Sequence, residues 1–132
     1  MEPEKLRYAA THEWIHVEKP ESGQTATIGI SAFAVEALTD LVYITLPKIG
    51  RSVAQGESLG EIESVKAVSD IYAPVSGEIV AVNDKLTDDL EVLVADPFGA
   101  GWIAKIKIRD AAGLDELLDY AAYQKLCAEE AH

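Results

Sequence analysis

Lys66 stands in the run Glu63-Ser64-Val65-Lys66-Ala67-Val68-Ser69-Asp70, and its amine is the side chain here most exposed to covalent chemistry. Val65 and Ala67 are small and apolar, and Ser64 and Ser69 stand a little further out, so the amine projects alone from a tight turn. A lone lysine at a loop tip is more often only a solubilising charge. The residues around this one are what set it apart. Other reactive types are scarce. His12 and His16 lie four apart in strand-like sequence, which puts both on one face, but no third ligand is in view and a metal site is not expected. His12 is expected to pack or hydrogen-bond near Trp14. With His132 at the terminus, a His-centred triad would have few parts to choose from. Cys127 is the only cysteine, so neither an intramolecular disulfide nor a Cys-rich zinc site can be built. It reads as a partly buried thiol, and a reducing compartment is the default setting.

The elements that must position Lys66 are short. From Thr25 to about Ile108, runs rich in Val and Ile are divided by Gly, Pro, Asn and Asp, the signature of many short strands. The candidates are Trp14–Glu18, Thr25–Ile30, Leu41–Thr45, Ser52–Val53, Ser58–Ser64, Ala67–Tyr72, Gly77–Val82 and Trp102–Ile108. Turn signals at residues 19–23 and at Pro74-Val75-Ser76-Gly77 separate them. Strands this short imply two packed sheets or a flattened barrel. Ser31 suits an N-cap, and Phe33, Ala34, Ala37 and Leu38 place a short helix with one apolar stripe after it. Leu114, Leu117, Leu118 and Ala121 repeat at helical spacing and predict a C-terminal helix within residues 111–128. The acidic run Asp88-Asp89-Leu90-Glu91 reads as a solvated loop.

An internal echo refines this. Pro47-x-x-Gly50-x-x-Val53-x-x-Gly56 returns 27 residues later as Pro74-x-x-Gly77-x-x-Val80-x-x-Asn83. Gly and Asn both tolerate positive φ, and the repeat suggests pseudo-twofold symmetry. The segment between the copies would be a hairpin with Lys66 near its tip.

Composition bounds the rest. With 132 residues, 48% hydrophobic and 26% charged, the chain fits one ordinary globular domain, 1–132, with a core over about 8–108. Its 11 basic against 23 acidic residues give a net charge of 11 − 23 = −12. Nucleic acid and anionic membranes are therefore excluded as partners, since their binders draw affinity from Lys and Arg. The start lacks the basic and apolar regions of a secretory signal, and no run of apolar residues is long enough to span a bilayer, so a cytoplasmic protein is expected.

Taken together, Thr11-His12-Glu13-Trp14, Ile28-Gly29-Ile30, Glu36-Ala37-Leu38, Glu63-Ser64-Val65-Lys66-Ala67-Val68-Ser69-Asp70, Pro74-Val75-Ser76-Gly77-Glu78 and Asp96-Pro97-Phe98-Gly99-x-Gly101-Trp102 carry a resemblance. From Tyr8 to Cys127 the chain resembles the H protein family of the glycine cleavage system, relatives of the biotinyl/lipoyl domains. The resemblance implies a mainly β fold, a flattened barrel or sandwich of two small antiparallel sheets with the lipoyl-domain hammerhead, a short internal helix and a C-terminal helix. It implies a monomeric, non-enzymatic carrier with lipoic acid in amide linkage on Lys66, where Glu63 and Gly77 match the residues read during lipoylation by a lipoate ligase or lipoyl synthase. Biotin is the weaker option, because biotin carriers flank their lysine with methionines and the single Met here is Met1. The family's partners are glycine decarboxylase, which loads an aminomethyl group, an aminomethyltransferase, which removes it, and dihydrolipoyl dehydrogenase, which reoxidises the arm. By the same resemblance the loaded arm folds back into a cleft where Thr11, Glu13 and Asp70 meet its ammonium, a charge-assisted contact for the carboxylates.

The sequence departs from the family pattern in places. Leu90 replaces a proline and Val94 an asparagine, Thr39 stands where glycine is common, and Ser31–Val35 differs from the usual residues. These departures leave open an H-like lipoate-binding protein that carries sulfur for a heterodisulfide-reductase-like complex, and an unmodified β-sandwich interaction module with Lys66 bare.

Overall fold

The computed structural model describes residues 2–18, 24–110, 114 and 116–130. The turn signal at 19–23 and His132 lie outside the described residues. Strands β1 (Arg7–Tyr8), β2 (Glu13–Glu18) and β3 (Thr25–Ile30) lead into helix α1 (Ala32–Leu38). Then follow β4 (Leu41–Thr45), β5 (Ser52–Val53), β6 (Ser58–Ser64), β7 (Val68–Tyr72) and β8 (Ser76–Val82). Two short helices, α2 (Lys85–Asp88) and α3 (Glu91–Ala95), precede β9 (Ala104–Asp110) and helix α4 (Tyr120–Glu130).

The strands form two antiparallel sheets, one of six strands in the order β1-β2-β3-β9-β8-β5 and one of three in the order β4-β6-β7. Each strand's alternation decides which face it buries. In the small sheet Ile44 and Ile62 lie opposite one another and, with Ile71, point inward, while Tyr43, Glu63 and Val68 share a register and point out. Ile28, Ile79 and Ile106 of the large sheet meet the inward set in one continuous apolar core. The result is an open, mainly β sandwich with short helices, the architecture expected from sequence. The eight expected strands match β2 to β9 to within two residues at each end, while β1 is not among them.

The echo is a structural pair. β5 and β8, one from each copy, run antiparallel with Ser52 opposite Glu78, and the amide of Ile79 donates to Arg51 O at 2.9 Å. The last echo position differs in its use. Gly56 takes the left-handed backbone at φ +85, whereas Asn83 does not. Asn83 is buried and its amide nitrogen donates to Ala100 O and Trp102 O, both at 2.9 Å.

Two expectations need correction. The run Asp88–Glu91 is shorter as a loop than expected, for Asp88 closes α2 and Glu91 opens α3, which leaves only the extended Asp89 and the half-buried turn residue Leu90 between the two helices. The C-terminal helix starts only at Tyr120. Leu118 exchanges backbone hydrogen bonds with Tyr8, donating at 2.7 Å and accepting at 2.8 Å, because the short strand β1 needs a partner on its open edge. Residues 111–113 and 115 of that predicted segment are outside the described residues.

The reversal from α1 into β4 is strained. Thr39 has φ +49 and ψ 160, and Asp40 has φ +38, a region that suits glycine. Asp40 O accepts the amide of Val65 at 3.1 Å, so this turn buttresses the Lys66 hairpin. Thr39→Gly is expected to stabilise the chain by about 1 kcal/mol in urea unfolding, because it relieves strain worth more than the added chain entropy. Gly77 has the opposite sensitivity. A Cβ there would stand 2.1 Å from Lys107 O and 2.6 Å from Ile106 Cγ2 on the neighbouring strand. Gly77→Ala is expected to cost more than about 2 kcal/mol in the same measurement, since backbone must move to admit it.

Candidate functional site

The Lys66 turn is closed by Ser64. Its amide donates to Ala67 O at 2.8 Å and its buried hydroxyl oxygen accepts the amide of Ala67 at 3.1 Å. A serine forms such a turn because its short hydroxyl can satisfy backbone groups left without a ladder partner. Between those anchors Val65, Lys66 and Ala67 are exposed, and among the described residues no ion pair engages the Lys66 amine. Val65 is 75% exposed, and Val42, Tyr43 and Val68 are exposed beside it. Apolar groups held in water together mark a contact surface. Glu63 lies on the outer face of β6 between Tyr43 and Val68. Sequence reasoning missed this apolar rim because Val and Tyr in strands are usually read as core.

Below the hairpin, β7 runs into a cleft of about 140 Å³ lined by Thr11, Glu13, Ile30, Ala34, Leu38 and Asp70, among others. The three predicted docking residues, Thr11, Glu13 and Asp70, are thus brought together. Asp70 is four residues past Lys66, roughly 13 Å at strand rise. Glu13 is only 1% exposed. Its carboxyl accepts a hydrogen bond from the Thr11 hydroxyl and another from the amide of Tyr72 at 3.2 Å. Burial pushes its pKa up to about 7, and the bonds from Thr11 and Tyr72 oppose that rise without cancelling it. Asp70, by contrast, is exposed at the rim, where its carboxylate accepts from the Ser58 hydroxyl at 3.1 Å and the Tyr72 hydroxyl at 3.5 Å. The cleft therefore offers one buried, readily protonated carboxyl and one solvated carboxylate to whatever enters.

His12 does not share a face with His16. It precedes β2 in a left-handed turn, φ +79, while His16 lies within the strand opposite Thr27. Its ring stacks on Phe33 at 5.0 Å, with Nδ1 2.7 Å from the Tyr123 hydroxyl and Nε2 2.6 Å from Glu130. Cys127 is half-buried beside the aromatic residues under α4. Ser31 caps α1 as expected, its hydroxyl accepting the amide of Ala34 at 3.2 Å. Tyr72 and Tyr123 had no signal of their own in the sequence, for each acts through a partner far away in the chain. The altered segment Leu90–Val94 does not reach the Glu13 cleft. Val94 borders a groove with Asp40 and Leu41, next to the turn that buttresses the hairpin.

A family model described as Glycine cleavage H-protein matches residues 6–130. The glycine cleavage system H protein of Rhodopirellula baltica is 56% identical over 129 residues, which cover 97% of this chain and 96% of that one. The one from Thermotoga maritima is 48% identical, with 94% and 97% covered. The crystal structure of a glycine cleavage system H protein from Mycobacterium marinum superimposes with a TM-score of 0.83 at 41% identity, covering 94% of this chain and 97% of the other. An exposed lysine on the β6–β7 hairpin of the small sheet above a carboxyl-lined cleft, with these likenesses along nearly its whole length, makes the chain a member of the glycine cleavage H-protein family.

Proposed function

We propose that the chain is a single-domain, non-enzymatic carrier that holds lipoic acid in amide linkage on Lys66 and serves the glycine cleavage system. The observation that carries this reading is the exposed Lys66 amine, without an ion-pair partner among the described residues, at the tip of a hairpin whose second strand descends into the Glu13 cleft. The residues fit the group. The amine is free for acylation, the turn is pinned by Ser64 and Asp40, and an acidic, partly apolar cleft lies along the same strand. When bound, the dithiolane supplies the disulfide exchange and thiol chemistry of the cycle. The chain supplies attachment, reach and shelter. A pinned tip keeps the arm's origin fixed while the arm sweeps, which raises the local concentration of its far end at each partner site.

Glu13 and Asp70, with Thr11, receive the cationic aminomethyl cargo. An ammonium entering beside Glu13 favours the ionised carboxylate, which releases to water the proton that burial leaves on it and then pairs with the cation. Glu63 and Gly77 serve lipoylation by a lipoate ligase or lipoyl synthase, Glu63 from the exposed outer face and Gly77 by letting β8 and β9 close up behind it. The partners are glycine decarboxylase, aminomethyltransferase and dihydrolipoyl dehydrogenase. A net charge of −12 suits brief, salt-sensitive contacts with basic rims on these larger proteins, and a monomer in the cytoplasm meets them in turn. Sulfur transport is not favoured, since the relatives compared carry the glycine cleavage name.

Intact mass after expression in a lipoylating host tests the attachment. Lys66→Ala should lose the added mass and all stimulation of bicarbonate exchange by glycine decarboxylase, while its unfolding midpoint stays within experimental error of the parent. An added mass that persists in the variant would place the cofactor elsewhere.

Glu13 leaves a pH signature. Its folded pKa, about 7, lies above the ordinary 4.5, so the folded state holds a proton that the unfolded chain releases earlier. The stabilisation this gives is complete below about pH 4.5 and is lost as pH rises through about 7. Glu13→Gln is neutral throughout. Its stability relative to the parent should therefore rise by a few kcal/mol from about pH 4.5 to pH 8 in urea unfolding, and a flat difference would show a carboxyl that titrates normally.

A further inference from the structure

Helix α4 packs on an apolar cluster of its own, built from Leu6, Tyr8, Trp14 and Tyr123 and separate from the core between the sheets. Tyr123 is 3% exposed, with its ring stacked on Tyr8 at 4.2 Å and 3°. Packing accounts for the ring but not for where the hydroxyl goes. It reaches Ser31 Oγ at 2.5 Å and His12 Nδ1 at 2.7 Å. The hydrogen bonds form one continuous series. The carboxylate of Glu130 only accepts, so His12 Nε2–H donates to it, and the other ring nitrogen meets the Tyr123 hydroxyl. That hydroxyl shares a proton-bridged contact with the Ser31 hydroxyl, whose oxygen accepts the amide of Ala34.

These partners belong to the two walls of the cleft. His12 lies between Thr11 and Glu13, and its carbonyl accepts the amide of Ser31 at 3.0 Å. Ser31 caps α1, which contributes Ala34, Ala37 and Leu38 as a second wall of the cleft. His12 also holds φ +79, an uncommon conformation that histidine tolerates better than most side chains.

We propose that Tyr123, acting through His12 and Ser31, clamps the two walls of the Glu13 cleft and so sets how closely that cleft excludes water. Tyr123, His12 and Ser31 are positioning residues, and the C-terminal helix is part of the cleft although it lines none of it. That the clamp shelters the arm's cargo rests on the docking role given to Glu13 above.

Tyr123→Phe keeps the stacked ring and removes only the hydroxyl, while His12→Asn keeps a residue that tolerates the left-handed turn and removes the ring. In the unloaded chain, the amides of Ser31 and Tyr72 bond to His12 O and Glu13 Oε2 and report on the walls. Their hydrogen exchange should quicken by about tenfold in either variant, with β8 and β9 unchanged, and the double variant should be no faster than the faster single one because both act in one network. Unchanged exchange at both amides in Tyr123→Phe, or equal quickening throughout the chain, would overturn the clamp. In the loaded chain, hydrolysis of the cargo to formaldehyde, ammonium and free thiol should be at least about fivefold faster in Tyr123→Phe and in Glu13→Gln. Local quickening of exchange with hydrolysis that neither substitution alters would uphold the clamp and remove Glu13 as the docking group.

Discussion

A carboxyl taken out of water costs several kcal/mol unless it is paired, hydrogen-bonded or protonated, and Glu13 meets that cost with two hydrogen bonds and a raised pKa. One of those bonds comes from the amide of Tyr72. Glu13 belongs to β2 in the six-stranded sheet and Tyr72 to β7 in the three-stranded one, so this bond ties the two sheets at the mouth of the cleft. The apolar core sets the distance between the sheets, and Glu13 fixes their edges beside the cleft. The clamp from α4 and the capping of α1 by Ser31 bear on the same place.

The hairpin follows the opposite rule. β6 and β7 bury Ile62 and Ile71 on one face only, and past Ser64 there is no opposing sheet to cover the chain. The backbone there must be satisfied locally, which Ser64 and Asp40 do, and the side chains of Val65, Lys66 and Val68 are left in water. The same geometry that exposes the amine exposes the apolar groups beside it. A stiff base with an uncovered tip serves a carrier better than a mobile loop, because mobility then resides in the arm and not in the protein.

Strand boundaries were legible because two-residue alternation and Gly or Pro punctuation are local signals. The helix from Ala32 was legible for a similar reason, since Ser31 caps it through a neighbour three residues away. Asn83 misled because a residue type that tolerates positive φ is equally a strong hydrogen-bonding group, and only Ala100 and Trp102 nearby decide between the two uses. Leu118 misled likewise, since helical spacing cannot reveal that Tyr8, far earlier in the chain, needs a backbone partner. His12 and His16 were placed on one face by strand periodicity, which a single left-handed residue interrupts.

The sequence by itself determined the sandwich and the lysine on its turn through contiguous words and short spacings, and the resemblance those words carry named the family and the three residues that the structure gathers at the cleft. Only the tertiary structure decided that Glu13 is buried and holds its proton to about pH 7, that Asp70 stays solvated, and that Tyr123 joins His12 to Ser31. Desolvation and long-range hydrogen bonds depend on which distant segments pack together. That information appears only when the sheets close and the last helix lies down on the first strands.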